Sequence, residues 1–316
     1  MNARILTSTA LAAMLAVVIL PAKAADPQLL NLVMPDATVL AGVNVDQAKT
    51  SPFGQYVIGQ IQNGVELQKL IAATGFDPTQ DVHEVLVASG AAGSKTGLAL
   101  ARGNFNTSQI AAAAAAHGGT TTETYAGLTI IEDQKQTHGV AFVNSTIAVA
   151  GDVVSVKAAL DRLKTQSSLP ASVLAEVSHW SGKEDAWAIT TVPPGSLHPA
   201  SGAPPIPGVG PNGNNTFLTV QSAAGGVKFG DNVVVTAQAQ SDNAQDAQNL
   251  ANTVKLLASL AQLQAKDNPA VQALAQSLTA TATGTTVDIS FSLPEAQLQA
   301  ILSEPHPQPH GNRKRM

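Results

Sequence analysis

The chain has 316 residues, 44% of them hydrophobic, 12% charged and 3% aromatic, with a formal charge of −5 and no cysteine. That supplies apolar cores for one large domain or two of ordinary size and excludes disorder throughout. It also excludes disulfides, thiolate metal sites, thiol nucleophiles and Cys-linked lipid anchors. A mildly acidic chain has no electrostatic reason to seek polyanions, so no nucleic-acid partner is expected.

Residues 1–25 read as a signal peptide: Arg4 is a short positive n-region, 5–20 a mostly apolar run, and Ala22-Lys23-Ala24 an A-x-A cleavage site. The run is short for a membrane span and small residues and Pro follow it, which argues against an anchor. Cleavage before Ala25 or Asp26 removes Arg4 and Lys23 and takes the formal charge from −5 to −7. No later stretch has the length and apolarity to cross a bilayer, so no transmembrane segment is expected in the mature chain, and a periplasmic or secreted location follows.

In chain order, 38–45 has the β-branched content of a first strand. Ser51-Pro52 reads as a helix N-cap and first position, with Phe53, Val57 and Ile61 at i+4 spacing. Asn63-Gly64 interrupts it, and a second helix over 66–73 ends at Gly75, which can take a left-handed cap. Residues 82–88 and 96–102 form two strands about a turn at 90–93. Asn106 and Gln109 have capping-box spacing before an alanine-rich helix stopping at Gly118. The segments 125–131 and 139–150 make two more strands, with a turn or bulge at Asn144-Ser145, and Asp152 caps a helix carrying Val156, Leu160 and Leu163 on one face.

Leu169-Pro170 opens a helix that buries Leu174, Val177 and Trp180, and 186–192 is a strand. The Pro- and Gly-rich 193–215 cannot continue a helix or central strand and is a linker or long surface loop. Residues 217–222, an Ala/Gly turn at 223–226 and 232–240 repeat the earlier hairpin pattern. The longest helix starts near Ser241 and Asp242 with a stripe of Leu250, Val254, Leu257 and Ala261. Asn268-Pro269 breaks it, a short helix runs to Leu278, 285–293 is a strand and 294–302 a helix.

Antiparallel pairs with helices between them make an α+β fold, helices packing on one sheet face. Side by side, 39–45 corresponds to 186–192, 82–102 to 217–240, and 139–164 to 285–302. The expected organisation is a signal peptide (1–25), two related halves (26–168 and 169–303) and a disordered tail (304–316). Two departures from the match are a crossover that is helical in one half and Pro-rich in the other, and only 279–283 as counterpart to 125–131. The opening Met34-Pro35-Asp36-Ala37-Thr38-Val39-Leu40-Ala41-Gly42-Val43-Asn44-Val45, with Thr74-Gly75-Phe76-Asp77-Pro78 and Asp81-Val82, resembles exported bacterial proteins of unknown function built on repeated α+β units. The resemblance covers the first half of the mature chain and carries no catalytic residues.

Most familiar chemistry is excluded. Gly90 to Thr96 has the Gly-rich look of a phosphate loop, but Ser94 precedes the Lys and a strand follows where a helix N-terminus is needed. His83-Glu84 lacks a second His four residues on and lies in a strand. Gly195-Ser196-Leu197-His198 lacks a strand-turn-helix setting. Asp77 and Asp81 flank a turn and have the chemistry for a cation, although such residues usually cap turns. His306 and His310 sit in a polar tail, and the basic 313–315 is too short to hold a membrane by charge.

No catalytic, cofactor-binding or metal residue is assigned, and no cofactor is expected. The expected function is a non-catalytic envelope or extracellular binding or assembly module with a protein or cell-envelope partner, using 193–215 and the exposed sheet face. The alternative is a hydrolase with a non-standard acid or metal site near Asp77, Asp81 and His83.

Overall fold

The computed structural model describes residues 25–90, 96–165, 169–191, 219–265 and 268–303. The described residues open with α1 (Pro27–Leu30), β1 (Val39–Asn44), α2 (Val45–Ala48), α3 (Pro52–Gln62), α4 (Val65–Thr74) and α5 (Pro78–Asp81). It continues with β2 (Val82–Ser89), β3 (Gly97–Gly103), α6 (Thr107–His117), β4 (Thr120–Tyr125), β5 (Leu128–Asp133), β6 (His138–Phe142), β7 (Ile147–Asp152) and α7 (Val153–Thr165). Then come α8 (Ala171–Ser181), β8 (Ala186–Thr190), β9 (Val220–Lys228), β10 (Asn232–Ser241), α9 (Ala244–Gln264), α10 (Pro269–Ser277), β11 (Thr279–Thr283), β12 (Thr286–Pro294) and α11 (Glu295–Ser303).

The fold is α+β. Among the described residues twelve strands join one sheet in the order β11-β12-β10-β9-β8-β1-β2-β3-β7-β6-β5-β4, every pairing antiparallel. The sheet runs unbroken across 168/169, because β1 pairs with β8 at its centre. Outward from that junction the order is β1-β2-β3-β7-β6-β5-β4 on one side and β8-β9-β10-β12-β11 on the other.

Local signals act where their chemistry requires. The Ser51 hydroxyl accepts from the Gly54 N–H and opens α3, Asn106 accepts from the Gln109 N–H to open α6, and Asp152 accepts from the Ser155 N–H to open α7. Gly75 ends α4 at φ 66°. The expected start of α9 moves, since the N-cap is Asn243, accepting from the Asp246 N–H. Within 120–133 the structure holds a hairpin, β4 and β5, turning at Ala126 and Gly127 with φ of 54° and 85°. The Thr-rich β4 has little apolar alternation and was not expected. Residues 139–150 form two strands, with Asn144 capping the turn between them.

One correction matters for function. The expected turn at 223–226 lies inside β9, which pairs with β10 from Val220 to Lys228; the chain reverses at Phe229, Gly230 and Asp231 instead. Small residues there serve close packing within the sheet rather than chain reversal.

Strand alternation divides the sheet into two faces. On the first face Leu40, Leu86, Leu100, Ile130, Val149 and Ile189 form the main core with Leu29, Leu32, Val156, Leu160, Val177 and Trp180 from α1, α7, α8 and their adjoining loops. Each fully buried aliphatic side chain of this kind stabilises by about 1.5–3 kcal/mol. On the second face, Ala239, Ala280 and Val287 pack under Ala247, Leu250 and Ala251 of α9. Phe76, Phe105 and Phe142 pack in sequence with their rings tilted to one another, centroids 5.5 and 5.4 Å apart. α3 reaches α11, where the Phe53 N–H donates to the buried Glu295 carboxylate at 2.8 Å and the Phe53 ring stacks on Phe229.

Candidate functional site

The second face of the five central strands carries a trough of about 560 Å3. Its floor comes from strand register. Val87, Ala41, Ala188, Gly225 and Ala237 stand directly opposite one another on β2, β1, β8, β9 and β10 and form one row across the strands. One neighbouring row is Val85, Val43, Ala186, Val227 and Val235; the other begins Val39, Thr190 and Ala223. No residue lining the trough is charged. Val43 and Val87 are 36% and 46% exposed, so this apolar strip faces solvent, and a contiguous exposed apolar patch is a common mark of an interaction or ligand site.

Gly225 is required by close approach. A Cβ there would lie 2.7 Å from the Thr236 carbonyl oxygen and 3.2 Å from the Ala237 Cα. The row ends toward β12, where Ile289, the partner of Ala237, packs against the cluster beneath α9. The sequence signal for this site was the run Ala223-Ala224-Gly225-Gly226, whose small size was legible and whose place in a strand was not.

Asp77, Asp81 and His83 do not converge. Asp77 caps α5, accepting from the Thr79 N–H and hydroxyl, and the Asp77 N–H donates to Asp81 at 2.8 Å. Both carboxylates therefore serve the turn. The His83 Nδ1 lies 2.8 Å from Asp46 Oδ1 and its Nε2 lies 3.0 Å from Asn104 Nδ2, so both ring nitrogens have partners. Asp81 lines a pocket of about 360 Å3 of mixed polarity with Phe76, Asn104, Phe105, Asn106 and Thr146; neither Asp77 nor His83 lines it. Among the described residues no group of three or more His, Asp or Glu is placed to hold a metal ion. The residues 193–215, Gly195 to His198, His306, His310, the basic 313–315 and the segment 1–24 lie outside those described.

Two charged clusters flank the first face. Arg102 Nε lies 3.3 Å from Asp26 and 3.5 Å from Glu84, while the Asp26 N–H donates to Glu84 at 3.0 Å, tying the chain entry to β2 and β3. Burial still raises the Glu84 carboxyl above its ordinary value, against the pull of the Asp26 N–H and Arg102. At the other end Glu132, 2% exposed, faces Glu123, which pairs with Lys157 of α7 at 2.7 Å. Burial, then the hydrogen bond to Glu123, pushes the Glu132 carboxyl up, and the Lys157 hydrogen bond pulls Glu123 down. Tyr125 donates to Asp161 of α7 at 2.7 Å, a second link from the edge strand to that helix.

Among the described residues no helix is long and apolar enough to cross a membrane. No family model and no curated protein matches the chain. Solved structures of TP0453 are similar in fold. Crystal form III gives a TM-score of 0.55 at 14% identity over 87% of this chain and 97% of that one, and crystal form I gives 0.52 at 13% over 87% and 96%. At such identity the likeness is one of fold.

Proposed function

We propose that this protein is an exported, non-catalytic binding module of the cell envelope whose open sheet face takes an apolar ligand. The observation that carries the reading is the trough: about 560 Å3, uncharged throughout its lining and partly open to water. Apolar pockets with few polar groups are the usual form of small-molecule sites. The export part rests on Arg4, the apolar 5–20 run and Ala22-Lys23-Ala24, and a periplasmic or secreted location follows from it. The two halves, 26–168 and 169–303, are proposed to be related units meeting at β1 and β8; the parallel in strand order over the first five strands on each side supports this, with β5 and β4 lacking a counterpart.

The test uses the chain from Asp26 onward and the neutral fluorescent probe N-phenyl-1-naphthylamine. Binding is expected to raise the probe's fluorescence and the protein's thermal midpoint, since a ligand at about 100 times its Kd stabilises by about 2.7 kcal/mol. Val87→Asp, at an already exposed strand position, is expected to keep the fold and weaken the probe. An absence of probe binding, or equal binding by Val87→Asp, would remove the reading.

A further inference from the structure

We infer that the ligand is a single unbranched alkyl chain lying across the strands, an inference that rests on the apolar-ligand reading and narrows it. The shape of the trough decides this. Its floor is a row of small residues, Ala41, Ala188, Gly225 and Ala237, in register on four adjacent strands and widened in the middle by Ala186 on β8 and Ala223 on β9.

Rows on one face stand two residues apart, about 6.6–6.8 Å, so the neighbouring rows flank a narrow channel. Val43, Val227 and Val235 raise one flank, interrupted at Ala186, and Val39 and Thr190 raise the other, which drops at Ala223. From Ala41 to Ala237 the small-residue row crosses four strands, which at about 4.8 Å per strand spacing gives a channel of about 14 Å, with Val87 standing at its β2 end. A slot long in one direction and narrow in the other fits an extended chain better than a compact ring system. The uncharged lining matches a hydrocarbon and offers no partner to a buried charge. The polar head of such a ligand therefore belongs outside the slot.

The test displaces N-phenyl-1-naphthylamine from the chain beginning at Asp26 with neutral n-alkanols from hexanol to dodecanol, and compares 1-decanol with 1-adamantanol, which has the same carbon count in a compact cage. Affinity is expected to rise by up to about three- to four-fold per added methylene, and 1-decanol is expected to displace the probe at far lower concentration than 1-adamantanol. Ala188→Phe fills the slot from an exposed position and is expected to weaken 1-dodecanol about ten-fold or more, the cost of overfilling an apolar site. Ala41→Val, a milder change in the same row, is expected to give a smaller loss in the same direction. Thermal unfolding of both variants checks that the sheet is intact. Flat dependence on chain length, equal displacement by 1-adamantanol, or unchanged alkanol binding in a folded Ala188→Phe would overturn the chain inference while the apolar-ligand reading stands. Failure of the probe itself to bind would instead remove that reading.

Discussion

The Trp187 indole lies over Gly42 on the neighbouring strand, where a Cβ would stand 2.7 Å from three of its ring atoms. The two residues are cross-strand partners of β8 and β1. Gly42→Ala is therefore expected to displace a buried ring and destabilise the protein by about 1–3 kcal/mol. Urea unfolding of both proteins measures it, and an unchanged midpoint would show that the ring moves freely.

Arg162 of α7 donates from Nε at 3.0 Å and Nη2 at 2.8 Å to the Leu32 carbonyl, holding the helix to the chain after α1. Arg162→Met keeps much of the aliphatic stem and removes the donors. A loss of about 1.5–3 kcal/mol is expected in chemical denaturation, the usual scale for a hydrogen bond to a charged group.

Asn243 caps the longest helix through its side chain. Asn243→Ala is expected to cost about 1 kcal/mol, whereas Asp242→Ala, outside the cap, is expected to cost less. Comparing the two thermal midpoints checks where the helix begins.

Glu132 gives the pH dependence a sign. Its folded carboxyl is held above the ordinary 4.5, so the folded state binds this proton more tightly than the unfolded chain. The resulting stability is fully present below 4.5 and is lost as pH rises through the folded value. Glu132→Gln is expected to flatten that decline and to gain on the wild type as pH rises toward neutrality. Denaturation midpoints between pH 4 and pH 8 test it. Asp133 behaves oppositely: the Thr137 hydroxyl and N–H hold it down to about 2, so its contribution is present above 3.8 and lost as pH falls through about 2.

Asp77 and Asp81 test the alternative reading. Since both complete the turn around α5, Asp77→Ala is expected to lower stability by about 1 kcal/mol through loss of a cap. A hydrolytic activity abolished by Asp81→Ala or His83→Ala at unchanged stability would restore the hydrolase.

Much of this molecule was written in its local sequence. Ser51-Pro52, Gly75, Asn106 and Asp152 each determine a helix end, because a cap needs only a side chain and backbone groups a few residues away. The α+β class was legible for the same reason, since hydrophobic period and turn residues are local properties. The hairpin of β4 and β5 was not, because Thr120 to Thr124 are mostly polar and join the sheet only through β5. Nor was the path of β9: Ala223 to Gly226 has turn composition, and only its pairing with β8 and β10 makes it a strand. The site belongs wholly to that second category. Alternation places Ala41, Ala188 and Ala237 each on one face of its own strand, but which strands become neighbours, and in what register, depends on burying the opposite face against α1, α7 and α8. The sequence by itself determined small, uncharged residues in separate strands, and tertiary packing alone aligned them into one slot.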